Sequence, residues 1–278
     1  MGSLALLSVL IAVRAFPEMR SLDAKLSELC QRIFEETQLL VPGPLQIELD
    51  RLLREASPRA TVRERFYYGH QLKILAQNGW FISIWNTPLA WLNPLATLFT
   101  TGQKETANRR LRIHFNQQAD GIEAHLAKVY LKRRLILQKA FRAHRNRDYE
   151  LSVPVFLIQA DGIAREITGI HRLSIYSRKD SKLKRLKQFV DSIIIQETQR
   201  QVLEVVLMET PLNVSTGNPI LLKRLLNRHE VLHGVETGYA SATNSCRAIS
   251  WLQYVDYFWQ AKDFAGQKRE LVEKPDSH

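Results

Sequence analysis

The segment 227–234, Asn-Arg-His-Glu-Val-Leu-His-Gly, holds two overlapping motifs that could each support catalysis. One motif is an arginine followed five positions later by a histidine, Arg228 and His233. The other is His-Glu-x-x-His, in which Glu230 lies between His229 and His233. The two motifs imply different chemistry, one that needs no metal ion and one built around zinc.

The zinc hypothesis uses His229 and His233, which are four residues apart and would share one face of a helix. Glu230 would then act as the base on a zinc-bound water. A catalytic zinc usually takes a third protein ligand, and the possible ligands downstream, Glu236 and Asp256, do not lie within a second motif. The glycine directly after the second histidine predicts a helix end, whereas a zinc-binding helix of this type continues. Zinc hydrolysis is therefore the alternative hypothesis.

The metal-free hypothesis is RNA cleavage, in which the 2′-hydroxyl of the RNA is the nucleophile. A histidine with a reference pKa of about 6.5 can move protons at both ends of this reaction, and an arginine can hold the charge of the phosphate. Arg228 and His233 supply this minimum with no metal or other cofactor. Residues five apart on an ideal helix point about 140° away from each other, so the helix must begin or end between them. Gly234 predicts an end there.

The spacing alone has little specificity, because Arg-x4-His also occurs at Arg65/His70, Arg109/His114 and Arg224/His229. The context distinguishes the pair at 228 and 233. A proline-led helix precedes it, Asn227 and His229 flank the arginine, and a turn rich in Gly, Thr, Ser and Asn leads to an aromatic helix. We interpret Arg109/His114 as part of a basic helix face.

The surrounding sequence resembles HEPN domains, in particular the HEPN proteins of bacterial abortive-infection and toxin systems. The resemblance is carried by Asn-Arg-His at 227–229, Leu-His-Gly at 232–234, Thr-Gly-Tyr at 237–239 and Asn-Ser-Cys-Arg-Ala-Ile at 244–249, with Tyr-Glu-Leu-Ser-Val-Pro at 149–154 and Gln-Ala-Asp-Gly-Ile at 159–163 upstream. It covers 148–260, less than half of the chain.

This resemblance implies a helical bundle that dimerises, so that the Arg-x4–6-His motifs of two copies meet in a cleft. Many such domains are metal-independent RNases of phage defence. It also implies that Arg228 and His233 are the catalytic pair, that Asp161 orients the arginine and that Asn227 supports the loop. The residue after the arginine is often Asn in this family but is His229 here. His229 could share the proton transfer or position the arginine.

Helical periodicity dominates the chain, which predicts an all-α protein: a HEPN-like helical bundle with an additional N-terminal helical region. The pattern predicts helices over 21–40, 44–56, 61–78, 103–144 with a break near Gly121, 149–167 beginning around Pro154, 189–208, a short stretch opened by Pro219, and 243–260. A boundary near Asn146 divides the chain into a regulatory or sensor region over 1–146, the site-bearing bundle over 147–265 and a polar tail over 266–278.

The net charge of +11 predicts a nucleic-acid partner, here RNA. Two basic clusters are expected to contact its phosphates: Lys132, Arg133 and Arg134, and then Lys182, Lys184 and Arg185. Tyr239 could stack a base or pack against the bundle. We therefore predict an RNA endonuclease that works as a homodimer, with a possible neutralising or sensor protein as a further partner. A non-catalytic HEPN module that binds nucleotide, RNA or a protein is the second alternative.

The remaining segments predict a cytoplasmic protein without a membrane span. The two cysteines, Cys30 and Cys246, cannot form a disulfide framework, which favours a reducing compartment. The apolar run Leu4–Val13 is too short to span a bilayer, and no Lys or Arg precedes it as in an export signal. The uncharged stretch 74–103 is broken by two prolines, which favours a buried or interfacial connector.

Overall fold

The computed structural model describes residues 60–83, 87, 91–170, 181–193, 197–214 and 225–273. Within these ranges the chain forms nine α-helices and no strand, which confirms the predicted all-α class for this part of the protein. The helices expected over 21–40 and 44–56, the run Leu4–Val13 and the stretch opened by Pro219 lie outside the described residues.

The described helices are α1 (Ala60–Gln77), α2 (Leu92–Thr100), α3 (Lys104–Val129), α4 (Arg134–Arg145), α5 (Tyr149–Thr168), α6 (Ser181–Ile193), α7 (Glu197–Glu204), α8 (Arg228–Leu232) and α9 (Ala242–Glu273). Two 3₁₀ segments, Leu131–Arg133 and Val205–Leu207, precede α4 and follow α7.

The long basic helix breaks at a different place from the one that the sequence predicted. Helix α3 continues through Gly121, because one glycine costs only about 1 kcal/mol and the opposite face of the helix is buried. The break falls at Tyr130 (φ −106°, ψ 68°), whose hydroxyl donates to the buried carboxylate of Asp256 at 2.8 Å. A tertiary hydrogen bond therefore accompanies the break, where the sequence has no glycine or proline to signal it.

Three other helix ends also differ from the predictions. Helix α5 begins at Tyr149, so Pro154 lies in its second turn and is not its first residue. The helix expected over 189–208 begins at Ser181 and is described as two helices, α6 and α7, and the last helix extends to Glu273, into the polar tail. Helix α6 begins before its apolar pattern and α9 ends after its own, because polar residues continue a helix that packing has already nucleated.

Helices α3, α4, α5 and α9 form the central bundle, and α9 runs parallel to α5. Near the start of both helices, the hydroxyls of Ser245 and Ser152 lie 2.8 Å apart. At the other end, Lys262 Nζ donates to the Ile167 carbonyl at 3.4 Å. The short connection between α4 and α5 makes these two helices antiparallel neighbours.

A chain of polar side chains, buried except for Asn116, joins all four bundle helices at one end. His144 Nδ1 lies 2.8 Å from the Ser245 hydroxyl, and His144 Nε2 lies 2.9 Å from Asn116 Oδ1. Burial lowers the pKa of His144, and the charge of Arg145 lowers it further. The ring therefore acts as a neutral donor and acceptor that fixes the register of α4 against its neighbours.

One hydrophobic core extends from Leu72 in α1 to Ala261 in α9. It includes side chains on both sides of Asn146, where the sequence analysis placed a domain boundary. Phe141 of α4 packs edge to face against Phe156 of α5, with 4.8 Å between the ring centroids.

The uncharged stretch 74–103 contributes to this core where it is described. Trp80 and Phe81 are fully buried, and Trp80 Nε1 donates to Asn108 Oδ1 at 3.0 Å. Among the described residues, no helix has the length and hydropathy needed to cross a bilayer.

Candidate functional site

Asn227 caps the first turn of α8 and ties this helix to the chain before it. Its Oδ1 accepts from the Glu230 backbone N–H at 2.8 Å. Its Nδ2 donates to the carbonyls of Pro211 (2.7 Å) and Val214 (3.1 Å). Only 1% of Asn227 is exposed, and its two bonds to the chain before α8 are buried. The side chain therefore fixes where α8 begins.

The glycine after the second histidine ends α8, as the sequence predicted. Gly234 has a left-handed backbone (φ 69°), and its N–H donates to the Val231 carbonyl at 3.2 Å. The N–H of Val235 donates to the Glu230 carbonyl at 2.9 Å. This pair of bonds is the Schellman arrangement, which ends helices. Helix α8 is consequently only five residues long.

Arg228 is the first residue of α8, and its side chain is directed to α5. Its Nη1 donates to Oδ1 of Asp161 in an ion pair between residues 67 positions apart. Asp161 is the carboxylate that the HEPN resemblance implies as the partner of this arginine. Arg228 is 3% exposed, whereas 21% of the Asp161 side chain is exposed. The ion pair therefore anchors α8 on α5 and holds the guanidinium away from solvent.

His229 and His233 lie side by side on α8, with 4.3 Å between their ring centroids and 63° between their planes. His233 follows the last helical residue and is exposed, and His229 is half-buried. The helix thus brings two imidazoles together at its surface. Such a pair can supply both a base and an acid to one reaction.

The carboxylates considered as third zinc ligands lie elsewhere. Glu236 turns back on its own loop, where its Oε1 accepts from the Gly238 N–H at 2.5 Å. Asp256 pairs with His125 on α3 at 2.9 Å. Across the described ranges, no three His, Cys, Asp or Glu side chains cluster closely enough to hold a metal ion.

The first basic cluster divides into exposed and engaged side chains. Lys132 and Arg134 are exposed. Arg133 lies across α5, where it donates to Gln159 Oε1 at 2.9 Å and to Glu166 Oε1 at 2.6 Å. The carboxylate of Glu166 therefore already balances the charge of Arg133 in the absence of RNA.

Gly162 explains how Arg133 can lie so close to α5. A Cβ at this position would meet both terminal guanidinium nitrogens of Arg133 at 2.5 Å. Asp161 and Gly162 are adjacent, so the same turn of α5 carries the carboxylate that pairs with Arg228 and the glycine that leaves room for Arg133. In the second basic cluster, Lys184 and Arg185 are exposed, and the side chain of Lys182 lies outside the described residues.

The loop after α8 is held by two hydrogen bonds that were not predicted from the sequence. Tyr239 donates its hydroxyl to the Glu150 carbonyl at 3.1 Å and packs against the core. Asn244 Nδ2 donates to the Tyr239 carbonyl at 2.9 Å. A signal was present, because Pro154 lacks the N–H that would bond to the Glu150 carbonyl within the helix. Tyr239 supplies the missing donor.

Arg109 and His114, another Arg-x4-His pair within a described helix, do not form a second site. Arg109 is exposed but His114 is 2% exposed, which corrects the interpretation that both lie on a basic face. His114 Nε2 lies 3.2 Å from the Thr87 hydroxyl, and burial lowers the pKa of His114 to about 4. This ring belongs to the core.

Comparison of the chain with protein-family models, with curated proteins and with solved structures finds no match.

Proposed function

We propose that this protein is a metal-independent RNA endonuclease of HEPN type that acts as a homodimer in the cytoplasm, in bacterial phage defence or a toxin system. The observation that carries the proposal is the arrangement on α8. Arg228 is anchored to Asp161 at the start of the helix, and the imidazoles of His229 and His233 lie together at its surface. The net charge of +11 supports RNA as the substrate.

In this reaction the 2′-oxygen of the RNA attacks the adjacent phosphorus. One imidazole of the His229/His233 pair accepts the proton of the 2′-hydroxyl. The other donates a proton to the 5′-oxygen, and the bond between this oxygen and phosphorus breaks. The products carry a 2′,3′-cyclic phosphate and a 5′-hydroxyl. Proton transfer of this kind is typically worth roughly 100- to 10,000-fold in rate.

Arg228 has two roles in the proposal. In the free protein, the ion pair with Asp161 fixes α8 on α5 and so positions the histidines. In the RNA-bound state, the guanidinium turns toward the scissile phosphate and stabilises its extra negative charge. A side-chain movement has to come first, because only 3% of Arg228 is exposed in the free protein.

Exposed apolar side chains around α8 support a second copy of the chain as the partner. Leu151 (62% exposed) and Ile158 (50%) lie seven residues apart on α5, the helix that carries Asp161. Val235 (62%) directly follows the glycine that ends α8. An apolar surface beside a polar site is typical of a protein interface.

The test is cleavage of a mixed-sequence RNA by the purified protein in excess EDTA. We expect cyclic-phosphate products, which Arg228→Ala and His233→Ala lose and Glu230→Gln retains. Glu230 is the matched control, because it lies on the same helix and is the base only in the zinc alternative. Activity that requires added zinc and is lost in Glu230→Gln would support the zinc hydrolase. RNA binding without cleavage would support a non-catalytic module.

A further inference from the structure

A cleft of about 310 Å³ opens between α3 and α9 and shares no residue with α8. Its polar lining consists of Gln118, His125, Gln253, Asp256 and Gln260. Its apolar lining consists of Ile122 and Leu126, with Gly121 at the edge. This volume is at the lower end of the range for small-molecule sites.

The one carboxylate of the cleft is already neutralised within its wall. Asp256 is 1% exposed and accepts from the Tyr130 hydroxyl at 2.8 Å and from Gln260 Nε2 at 2.5 Å. His125 Nε2 lies 2.9 Å from the same carboxylate, and this hydrogen bond raises the pKa of His125. The cleft therefore offers neither a free anion nor a free cation, which disfavours a charged ligand.

The polar groups of the cleft that remain available to a ligand are side-chain amides. Gln253 is 4% exposed, and its Nε2 is buried without a hydrogen-bond partner. A buried donor without an acceptor is costly, and the broad terminal torsion of glutamine lets the amide turn toward the cleft. Gln260 uses its Nε2 for Asp256, which leaves its Oε1 as an acceptor.

We propose that this cleft binds a small, uncharged ring compound that presents a planar amide edge. The carbonyl of that edge accepts from Gln253 Nε2, and the neighbouring N–H donates to Gln260 Oε1. Ile122 and Leu126 cover the apolar face of the ring. The amide can belong to the ring, as in a pyrimidine base, or be a carboxamide attached to it. A single side-chain amide can make two hydrogen bonds to the edge of a base, and here two glutamines would supply one bond each.

Ligand-observed NMR with uracil and nicotinamide tests both sources of the amide edge. We expect a dissociation constant of ~1 mM for at least one of them, as suits a ligand of this size. Binding of uracil alone supports the ring amide, and binding of nicotinamide alone supports the carboxamide. 1,3-Dimethyluracil keeps the ring and both carbonyls but has no N–H. Equal binding of uracil and its dimethyl derivative would overturn the proposal.

Two variants, Gly121→Phe and Gln253→Leu, test whether the ligand binds in this cleft. A Cβ at Gly121 meets nothing within 4 Å, so Gly121→Phe fits the helix and fills the cleft, and Gly121→Ala is its matched control. We expect Gly121→Phe to abolish binding, Gly121→Ala to retain it, and Gln253→Leu to weaken it about tenfold. Unchanged affinity in Gly121→Phe, or no saturable binding of either probe, would overturn the proposal. Arg228→Ala is expected to bind normally, which separates this result from the nuclease test.

Discussion

The ion pair between Asp161 and Arg228 is the contact on which the position of α8 depends. We predict that Asp161→Ala destabilises the protein more than Arg228→Ala does. The Arg228 side chain is 4% exposed, whereas 21% of the Asp161 side chain is exposed. When the other member of the pair is removed, water can therefore solvate the carboxylate better than the guanidinium. The expected losses are about 3 and about 2 kcal/mol, measured by urea unfolding at pH 7.

The double variant, Asp161→Ala with Arg228→Ala, measures how much of the stabilisation comes from the interaction between these two side chains. If the two side chains stabilise the fold through each other, the double variant loses less than the sum of the single losses. Lys184→Ala is the control, because this exposed lysine should change stability by less than about 0.5 kcal/mol. Strict additivity of the single losses would show that each side chain acts through other contacts.

The buried ring of His114 makes stability depend on pH. Burial lowers its pKa to about 4 in the folded protein, against about 6.5 in the unfolded chain. Between these values only the unfolded chain binds the proton, so stability falls as the pH decreases from 6.5 to 4. The expected contribution is about 3 kcal/mol.

The measurement for His114 is urea unfolding at pH 7 and at pH 4.5, in the wild type and in His114→Gln. The variant should lose most of the His114 contribution, and His144, whose pKa burial also lowers, should leave a smaller slope. An identical pH dependence in both proteins would contradict the assignment.

Local chemistry at the candidate site could be predicted from the sequence, but burial could not. Gly234 ends α8 as expected, because a left-handed backbone favours glycine whatever surrounds it. The burial of Arg228 and the ion pair of Arg133 with Glu166 depend on where α5 packs. No spacing within segment 227–234 carries that information.

Pro154 and Tyr239 act together at the scale of the helix. The proline leaves the Glu150 carbonyl without an intrahelical donor, and the Tyr239 hydroxyl donates to this carbonyl at 3.1 Å. We predict that Tyr239→Phe costs about 1 kcal/mol, since one hydrogen bond is lost. Pro154→Ala restores the N–H, so Tyr239→Phe should cost less in that background. Thermal unfolding of the four proteins measures this coupling, and equal costs in both backgrounds would contradict it.

The existence of the helices was easier to predict than their ends. Periodicity located α1, α5 and α9, because buried apolar residues repeat with the helical period. The break at Tyr130 coincides with a hydrogen bond to Asp256, 126 residues away, and the sequence near it contains no terminating residue. A contact with so distant a residue cannot be predicted from the sequence around the break.

For the whole molecule, composition predicted the class but not the assembly of the helices. The mixture of apolar periodicity and few glycines or prolines suits a helical protein, and the described residues are helical. The parallel packing of α9 and α5 rests instead on contacts at both ends, from Ser152 to Ser245 and from Ile167 to Lys262. These pairs are separated by more than 90 residues.

The exposed apolar side chains on α5 lead to a prediction about assembly. If a second copy covers this surface, a charge at Ile158 is buried without a partner when the dimer forms. We predict that Ile158→Glu weakens dimerisation at least about tenfold. Ile113 on α3, which is 37% exposed, is the matched control, and Ile113→Glu should leave the dimer intact. Sedimentation velocity over a range of protein concentrations measures both variants.

RNA cleavage by the same two variants links assembly to chemistry. If the site is completed by the partner, Ile158→Glu loses cleavage in proportion to its loss of dimer, and activity returns at high protein concentration by mass action. A variant that lacks a catalytic residue in every subunit would stay inactive at high protein concentration, because its dimers would still lack that residue. A monomeric wild type, or a monomeric Ile158→Glu that still cleaves RNA fully, would contradict a shared site and leave α8 to act within one chain.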